Sequence, residues 1–289
     1  MSSYMANIKK LLVFLTCFLS GLGVLFSIAS ITTERWVYAN NMIYYQIPDT
    51  MQKVKYGLFH GTLTTTVGTV MASVPLTMTC LAKENVCAYL CAESDEARYT
   101  LLKDIYHNKK EIEQPNCPRS SQDQERRTRV SSTFQTNTTD TSNKKYINCG
   151  IWVTTILFLV VSMLFGLISS GLSFYNTNIN PIQVYLSIYG LFLYNAIALF
   201  SLIIAMMVWG VFYNLSIYHD VAIFDTLTGA MESDKTAYLG YSYWLNIAPL
   251  ILYMMSIAVL FLRQYLISKD PGHKIVQRQD DGDPVIYLY

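Results

Sequence analysis

Residues 146–218 read YINCGIWVTTILFLVVSMLFGLISSGLSFYNTNINPIQVYLSIYGLFLYNAIALFSLIIAMMVWGVFYNLSIY, 73 consecutive positions without a Lys, Arg, Asp, Glu or His. Water would not tolerate so long an apolar stretch uncovered, and the core of a small soluble domain could not enclose it. A bilayer can, and the whole composition agrees. Of the 289 residues, 52% are apolar and 14% charged, against about 25% charged in an ordinary soluble domain. The net charge of +1 supplies no global field for nucleic acid or an acidic surface. The chain reads as an integral membrane protein whose first partner is the lipid bilayer.

The stretch divides at residues 176–181, Asn-Thr-Asn-Ile-Asn-Pro, where turn-forming Asn and a helix-starting Pro predict a tight cytoplasmic turn. Segments 151–175 and 182–213 flank it, and two more apolar segments lie at 11–31 and 243–267. All four meet the about 17–25 apolar residues that a spanning helix needs. Each must be helical, because lipid offers the backbone no hydrogen-bonding partner. The third exceeds a bilayer core of about 30 Å at about 1.5 Å per residue, so its end is expected to project as an exposed helix. Lys9, Lys10 and the small residues Ser27-Ile28-Ala29 also fit a cleaved signal peptide. The uncharged run is longer than the about 7–15 residues of a signal core, which favours a retained helix.

Lys9 and Lys10 precede the first segment, and Arg263, Lys269, Lys274 and Arg278 mark the end of the fourth. The positive-inside rule then puts residues 1–10 and the tail 268–289 in the cytoplasm. Loops 32–148 and 214–242 fall outside; the second carries Asp220, Asp225, Glu232 and Asp234 against Lys235. Both N-x-[ST] sequons, at Asn137 and Asn214, lie in these outer loops.

The first outer loop has three parts. Residues 36–78 are rich in Thr, Val and Tyr with Gly punctuation, which predicts strands. Residues 84–107 place Cys87, Leu90, Cys91, Leu101, Leu102 and Ile105 at helical spacing. Residues 108–145 are polar and read as a disordered insertion. Cys80, Cys87, Cys91 and Cys117 are disulfide candidates in this oxidising compartment. With Cys87 and Cys91 one helical turn apart, they are expected to bridge elsewhere rather than to each other, with at least one disulfide from this pair to Cys80 or Cys117. Cys149 leaves an odd count and is free, acylated or a further competitor. Cys17 is a packing residue of the first segment. The cysteine spacing matches no structural zinc site.

The apolar spans carry no charged side chain of the kind transporters and pumps use. Asn195 and Asn246 are read as interhelical hydrogen-bonding groups, and His219-Asp220 as a solvated helix end. With no phosphate-cradling loop, nucleophile elbow or partnered base, the chain is expected to be neither an enzyme nor a cofactor binder. Small residues recur on shared faces instead: Thr16, Ser20, Gly23 and Ser27 in the first segment, and Ser162, Gly166 and Ser170 in the second. They let backbones approach closely in lipid, within the bundle rather than between copies.

Trp36 just past the first segment and the Gly57-Leu58-Phe59 turn resemble the claudin-like tetraspan superfamily. The fuller Tyr56-Gly57-Leu58-Phe59-His60-Gly61 block is similar to a segment of the clarins, as are His219-Asp220, Tyr241-Ser242-Tyr243-Trp244 and the terminal Leu288-Tyr289. The insertion at 108–145 marks a divergent member with an enlarged loop. The resemblance implies an all-α bundle of four transmembrane helices with a small extracellular β-sheet in the first loop. It also implies a plasma-membrane protein that organises membrane and actin-linked scaffold proteins in sensory cells, at protrusions and synapses. The alternative within the superfamily is an auxiliary channel subunit or adhesion protein acting through the outer loop.

The tail ends in Val285-Ile286-Tyr287-Leu288-Tyr289 after a run with little apolar surface. Such an end can add a strand to a partner's sheet while a backbone nest takes its carboxylate, as in PDZ recognition. Tyr287 and Tyr289, alternate in an extended chain, would enter one groove, with Leu288 between them. The competing reading folds the tyrosines back to the membrane interface. For the topology, Asn137→Gln is expected to remove most of the glycosidase-sensitive gel shift of the wild type. A tag inserted at residue 125 that is shielded from protease in sealed cells would reverse the orientation.

Overall fold

The computed structural model describes residues 2–44, 50–107, 109, 117, 145–178 and 186–269. Helix α1 (Ser2–Thr32) is followed by strands β1 (Val37–Tyr44), β2 (Thr50–Tyr56), β3 (His60–Val67), β4 (Val70–Leu81) and β5 (Val86–Leu90). Helix α2 (Asp95–Tyr106) and the short β6 (Ile147–Asn148) lead into α3 (Cys149–Asn178). Helix α4 (Ile188–Phe212) runs on into a π-helical turn at Tyr213–Ile217. Then come α5 (Phe224–Leu227), β7 (Met231–Glu232), β8 (Ala237–Leu239), α6 (Tyr241–Trp244) and α7 (Ile247–Ser268).

Four helical spans are long and apolar enough to cross a bilayer: Asn7–Thr32, Cys149–Asn178, Ile188–Ile217 and Tyr241–Ser268. The chain is a multi-pass membrane protein. Its spans differ from the expected ones at their ends, for local reasons. Residues 176–178, expected in the turn, continue helix α3, where Asn176 Nδ2 donates to Leu172 O (2.8 Å) and Thr177 Oγ1 to Ser173 O (2.9 Å). Residues 179–185 lie outside the described residues, and α4 starts at Ile188 rather than 182. The fourth span is two helices, broken at Leu245-Asn246. Pro249 in the first turn of α7 has no N–H, and its ring excludes a helical carbonyl four residues back. The insertion expected over 108–145 lies outside the described residues except for Lys109, Cys117 and Lys145, and the tail 270–289 lies wholly outside them.

The chain forms two compact units. The first comprises Met1–Ile28, Leu157–Ile204 and Leu245–Tyr289. Its centre is a polar junction. Asn195 Nδ2 of α4 donates to Ser169 Oγ of α3 (2.6 Å), and its Oδ1 accepts from Ser20 Oγ of α1 (2.9 Å). Ser20 Oγ also lies 3.2 Å from Ser256 Oγ of α7. One carboxamide thus engages every long helix, directly or through Ser20, and all four residues are buried. Around it the small residues pack as expected. A Cβ on Gly23 would stand 3.0 Å from the Tyr253 ring, and one on Gly166 would overlap Tyr253 Oη and stand 2.8 Å from Val24. Ser162 Oγ donates to Ala198 O (2.8 Å), Ser170 Oγ to Cys17 O (3.0 Å) and Ser27 Oγ to Gly23 O (3.0 Å). Apolar helices have no hydrophobic reason to associate inside lipid, so close approach and interhelical hydrogen bonds hold them.

The second unit comprises Ala29–Ile156 and Ala205–Trp244. Its described strands form one antiparallel sheet of eight, in the order β6-β5-β4-β3-β2-β1-β7, with β8 also on β1. β7 pairs Ile43 and Tyr44, and β8 pairs Val37 through Ala39, so both fill the remaining edge of β1. The loop between the third and fourth spans therefore completes a sheet begun between the first and second. At the other end, α2 is capped by Ser94, whose Oγ accepts from Ala97 N (3.2 Å). It turns Leu102 and Ile105 onto Leu81, Ala88, Leu90 and Leu227 to form a core. The helix expected over 84–107 exists only from Asp95; Val86–Leu90 is a strand, held between β4 and β6.

Replacing Asn195 by Ala removes the shared partner of Ser20 and Ser169. We expect Asn195→Ala to lower stability in detergent by roughly 1–2 kcal/mol. An unchanged unfolding midpoint in a denaturing-detergent titration would show that the junction contributes nothing.

Candidate functional site

The Tyr56–Gly61 block is the turn between β2 and β3, and its neighbours explain its composition. Trp36 N donates to Tyr56 O (2.9 Å), and Gly57 N to His60 O (2.8 Å). A Cβ on Gly57 would overlap the Thr33 carbonyl oxygen and stand 3.1 Å from Glu34 Cα. Backbone on backbone leaves nothing to give way, so glycine is required. Gly61 faces Tyr56 across the strand pair, where a Cβ would come 2.5 Å from Tyr56 Cβ. Leu58 is fully buried, and its carbonyl accepts from Trp152 Nε1 at the start of α3 (2.8 Å). Phe59 stands apart at 37% exposure, edge-on to Trp152 with ring centroids 5.9 Å apart. His60 is exposed, and its backbone carbonyl does the structural work.

Trp36 is fully buried beside this turn. Its indole N–H donates to Ser30 O (2.7 Å), and its ring meets Trp209 and Tyr243 edge-on at 5.5 and 5.9 Å. Its carbonyl accepts from Gly240 N (2.9 Å), where glycine is again required because a Cβ would overlap Arg35 O. Beneath it Tyr56 stacks on Tyr89 with centroids 4.0 Å apart, and Tyr89 Oη donates to Gly57 O (2.5 Å). Burial pushes both phenols well above the usual 10, so Tyr89 keeps the proton that it donates.

The other sequence-selected residues lie elsewhere. Cys80 is bonded to Cys87, its register partner across β4 and β5, and Cys91 to Cys117. Cys87 and Cys91 thus do not share a helical face. Cys149 is a free thiol at the start of α3. Asn214 is exposed on the π-helical turn, with Nδ2 donating to Gly210 O (2.9 Å). Asn137, Tyr287, Leu288 and Tyr289 lie outside the described residues.

His219-Asp220 is not the solvated helix end expected. His219 Nδ1 pairs with Asp234 at 2.7 Å, while Asp220 turns inward to accept from Ala222 N (2.9 Å) and Lys145 N (3.4 Å). Asp225 accepts from Gln52 Nε2 of β2 (3.1 Å). Loss of water raises both carboxyls above their ordinary 3.8, and these hydrogen bonds oppose the rise. The Ala222 bond is local, two residues on, whereas the Lys145 N–H comes from the end of the first loop and has no signature near Asp220.

No protein-family model matches the chain. It is similar to Clarin-3 of Homo sapiens, with 32% identity over 111 residues. The match covers 38% of this chain and 49% of that protein, so the chain spans about half the length of the curated relative it matches.

Trp36→Ala is expected to cost about 3–5 kcal/mol, while Phe59→Ala loses only an edge-on ring contact of about 0.5–1.5 kcal/mol. Thermal unfolding of the purified proteins checks the order, and equal losses would contradict the burial difference. For Asp225 the folded value lies above the unfolded one. Its contribution to stability is therefore full below the ordinary 3.8 and is lost as pH rises through the folded value. Asp225→Asn, which keeps an acceptor for Gln52, is expected to be more stable than wild type at pH 7. That advantage should vanish toward pH 4, as melting curves across this range would show.

Proposed function

We propose that this clarin-like, four-span membrane protein is a non-enzymatic organiser of membrane and actin-linked complexes, placed at the plasma membrane of sensory cells. The supporting observation is the similarity to Clarin-3 together with the use of the Tyr56–Gly61 block as a built part of the sheet unit. The functional surfaces in this reading are the loops outside and the tail 268–289 inside. Lys9 and Lys10 in the first turn of the first span and Lys269 after the fourth support cytoplasmic ends. In this reading Asn137 and Asn214 carry glycans, and Tyr287, Leu288 and Tyr289 engage scaffold domains.

A second reading, an auxiliary channel subunit or adhesion protein, is favoured by a small apolar row on the sheet. Met51 and Met71 both pair with Thr66, from opposite sides, and are 56% and 65% exposed. Exposed apolar rows of this kind mark contact surfaces when they are contiguous.

Proximity labelling from a tag on the cytoplasmic tail separates the two. Actin-linked scaffold proteins are expected among the labelled neighbours. Enrichment of channel pore subunits, lost in a Met51→Ser/Met71→Ser variant, would favour the second reading and displace the first.

A further inference from the structure

Cys149 is the free thiol of the sheet unit, and it does not stand alone. Its Sγ and those of Cys80 and Cys87 all lie within 4.8 Å of one another. Two of these sulfurs already form the β4–β5 disulfide. The remaining thiol is half-buried, as is Cys80, while Cys87 is buried. The backbone explains how three sulfurs meet. Cys87 pairs in register with Ile147 of β6, and Cys149 follows two residues later. Asn85, the last residue of the β4–β5 turn, has φ of 56° and reaches over to the first turn of α3. Its carbonyl accepts from Cys149 N (3.3 Å), and its Oδ1 accepts from Gly150 N (2.8 Å). The turn that closes the disulfide hairpin is thus the cap that holds Cys149 against it.

We propose that Cys149, Cys87 and Cys80 form an intramolecular thiol–disulfide exchange site. Cys149 Sγ gives its proton to water and attacks Cys87 Sγ as the thiolate. The Cys80–Cys87 bond breaks with its electron pair on Cys80 Sγ, which takes a proton from water. One disulfide and one thiol are present before and after, so no oxidant or reductant is consumed. Attack at Cys87 rather than Cys80 follows from the leaving group: half-buried Cys80 releases its charge toward water, whereas expelling Cys87 would strand a thiolate in the core. The exchange moves a crosslink. In one state it closes a hairpin of sequence separation 7 within the sheet; in the other it ties β5 to the first residue of the second span and encloses residues 87–149. The site gives the protein two covalent states that differ in whether β5 is cross-linked to the start of a membrane helix.

The test uses the full-length protein in lipid nanodiscs, without reductant. It is incubated with a maleimide, quenched in acid and mapped as non-reduced peptides. Wild type is expected to label at Cys80 as well as Cys149, with a Cys87–Cys149 peptide appearing as Cys80 is trapped. Cys149→Ser is expected to cut Cys80 labelling roughly tenfold or more, since no thiol remains to open the bond. Because that variant could misfold, Cys80→Ser is mapped in parallel and is expected to contain the Cys87–Cys149 disulfide. Cys80 unlabelled in wild type while Cys149 is fully modified would overturn the proposal. So would equal Cys80 labelling with and without Cys149, or free thiols at both Cys87 and Cys149 in the Cys80→Ser protein.

Discussion

The sheet unit depends on one buried side chain. Trp36 follows the first helix by four residues, and its indole N–H returns to that helix at Ser30 O. Its backbone N–H goes to the end of β2 and its carbonyl to Gly240 at the mouth of the fourth span. Three chain segments far apart in sequence therefore share one anchor that water cannot reach. The glycines at 57 and 240 follow from it. Residues 33–35 run so close to both that any side chain there would strike a carbonyl oxygen. A buried indole without a partner would cost more than its hydrogen bond returns, which is why the partner is a backbone group at a helix end.

The first unit is held by different physics. Its helices are apolar on every side, so burial supplies no preference for one neighbour over another. Selection comes from shape and from a few polar groups. Gly23 and Gly166 leave the space that Tyr253 fills, and Asn195 is the polar hub that α1 and α3 bond directly and α7 reaches through Ser20. A polar group in hydrocarbon has few alternatives, so its partner is specified more strongly than its modest energy suggests.

Several elements of the sheet unit were not legible along the chain. Cys87, Leu90 and Cys91 have helical spacing, yet Val86–Leu90 is a strand with all but its first residue buried. A strand covered on both faces loses the alternation by which strands are recognised. Strands β7 and β8 are two and three residues long, too short to carry any period, and exist because β1 has an open edge. Asp220 likewise reads as a solvated charge until the Lys145 N–H of the first loop is seen to meet it.

What the sequence determined by itself was whatever depends on local composition. The four spans follow from uninterrupted apolar runs, because the requirement for a helix in lipid acts on each segment separately. The strand-rich region expected over 36–78 follows from its Thr, Val and Tyr content, and the small-residue faces from a period of three to four. Tertiary structure decided everything that needs a partner from elsewhere in the chain. It closed the sheet with residues from the second loop, assigned Cys80 to Cys87 and Cys91 to Cys117, and brought the Cys149 thiol to within 4.8 Å of the first bond. Those outcomes depend on register and on which backbone edges are left unpaired. Both are properties of two segments at once, so neither is written in either segment alone.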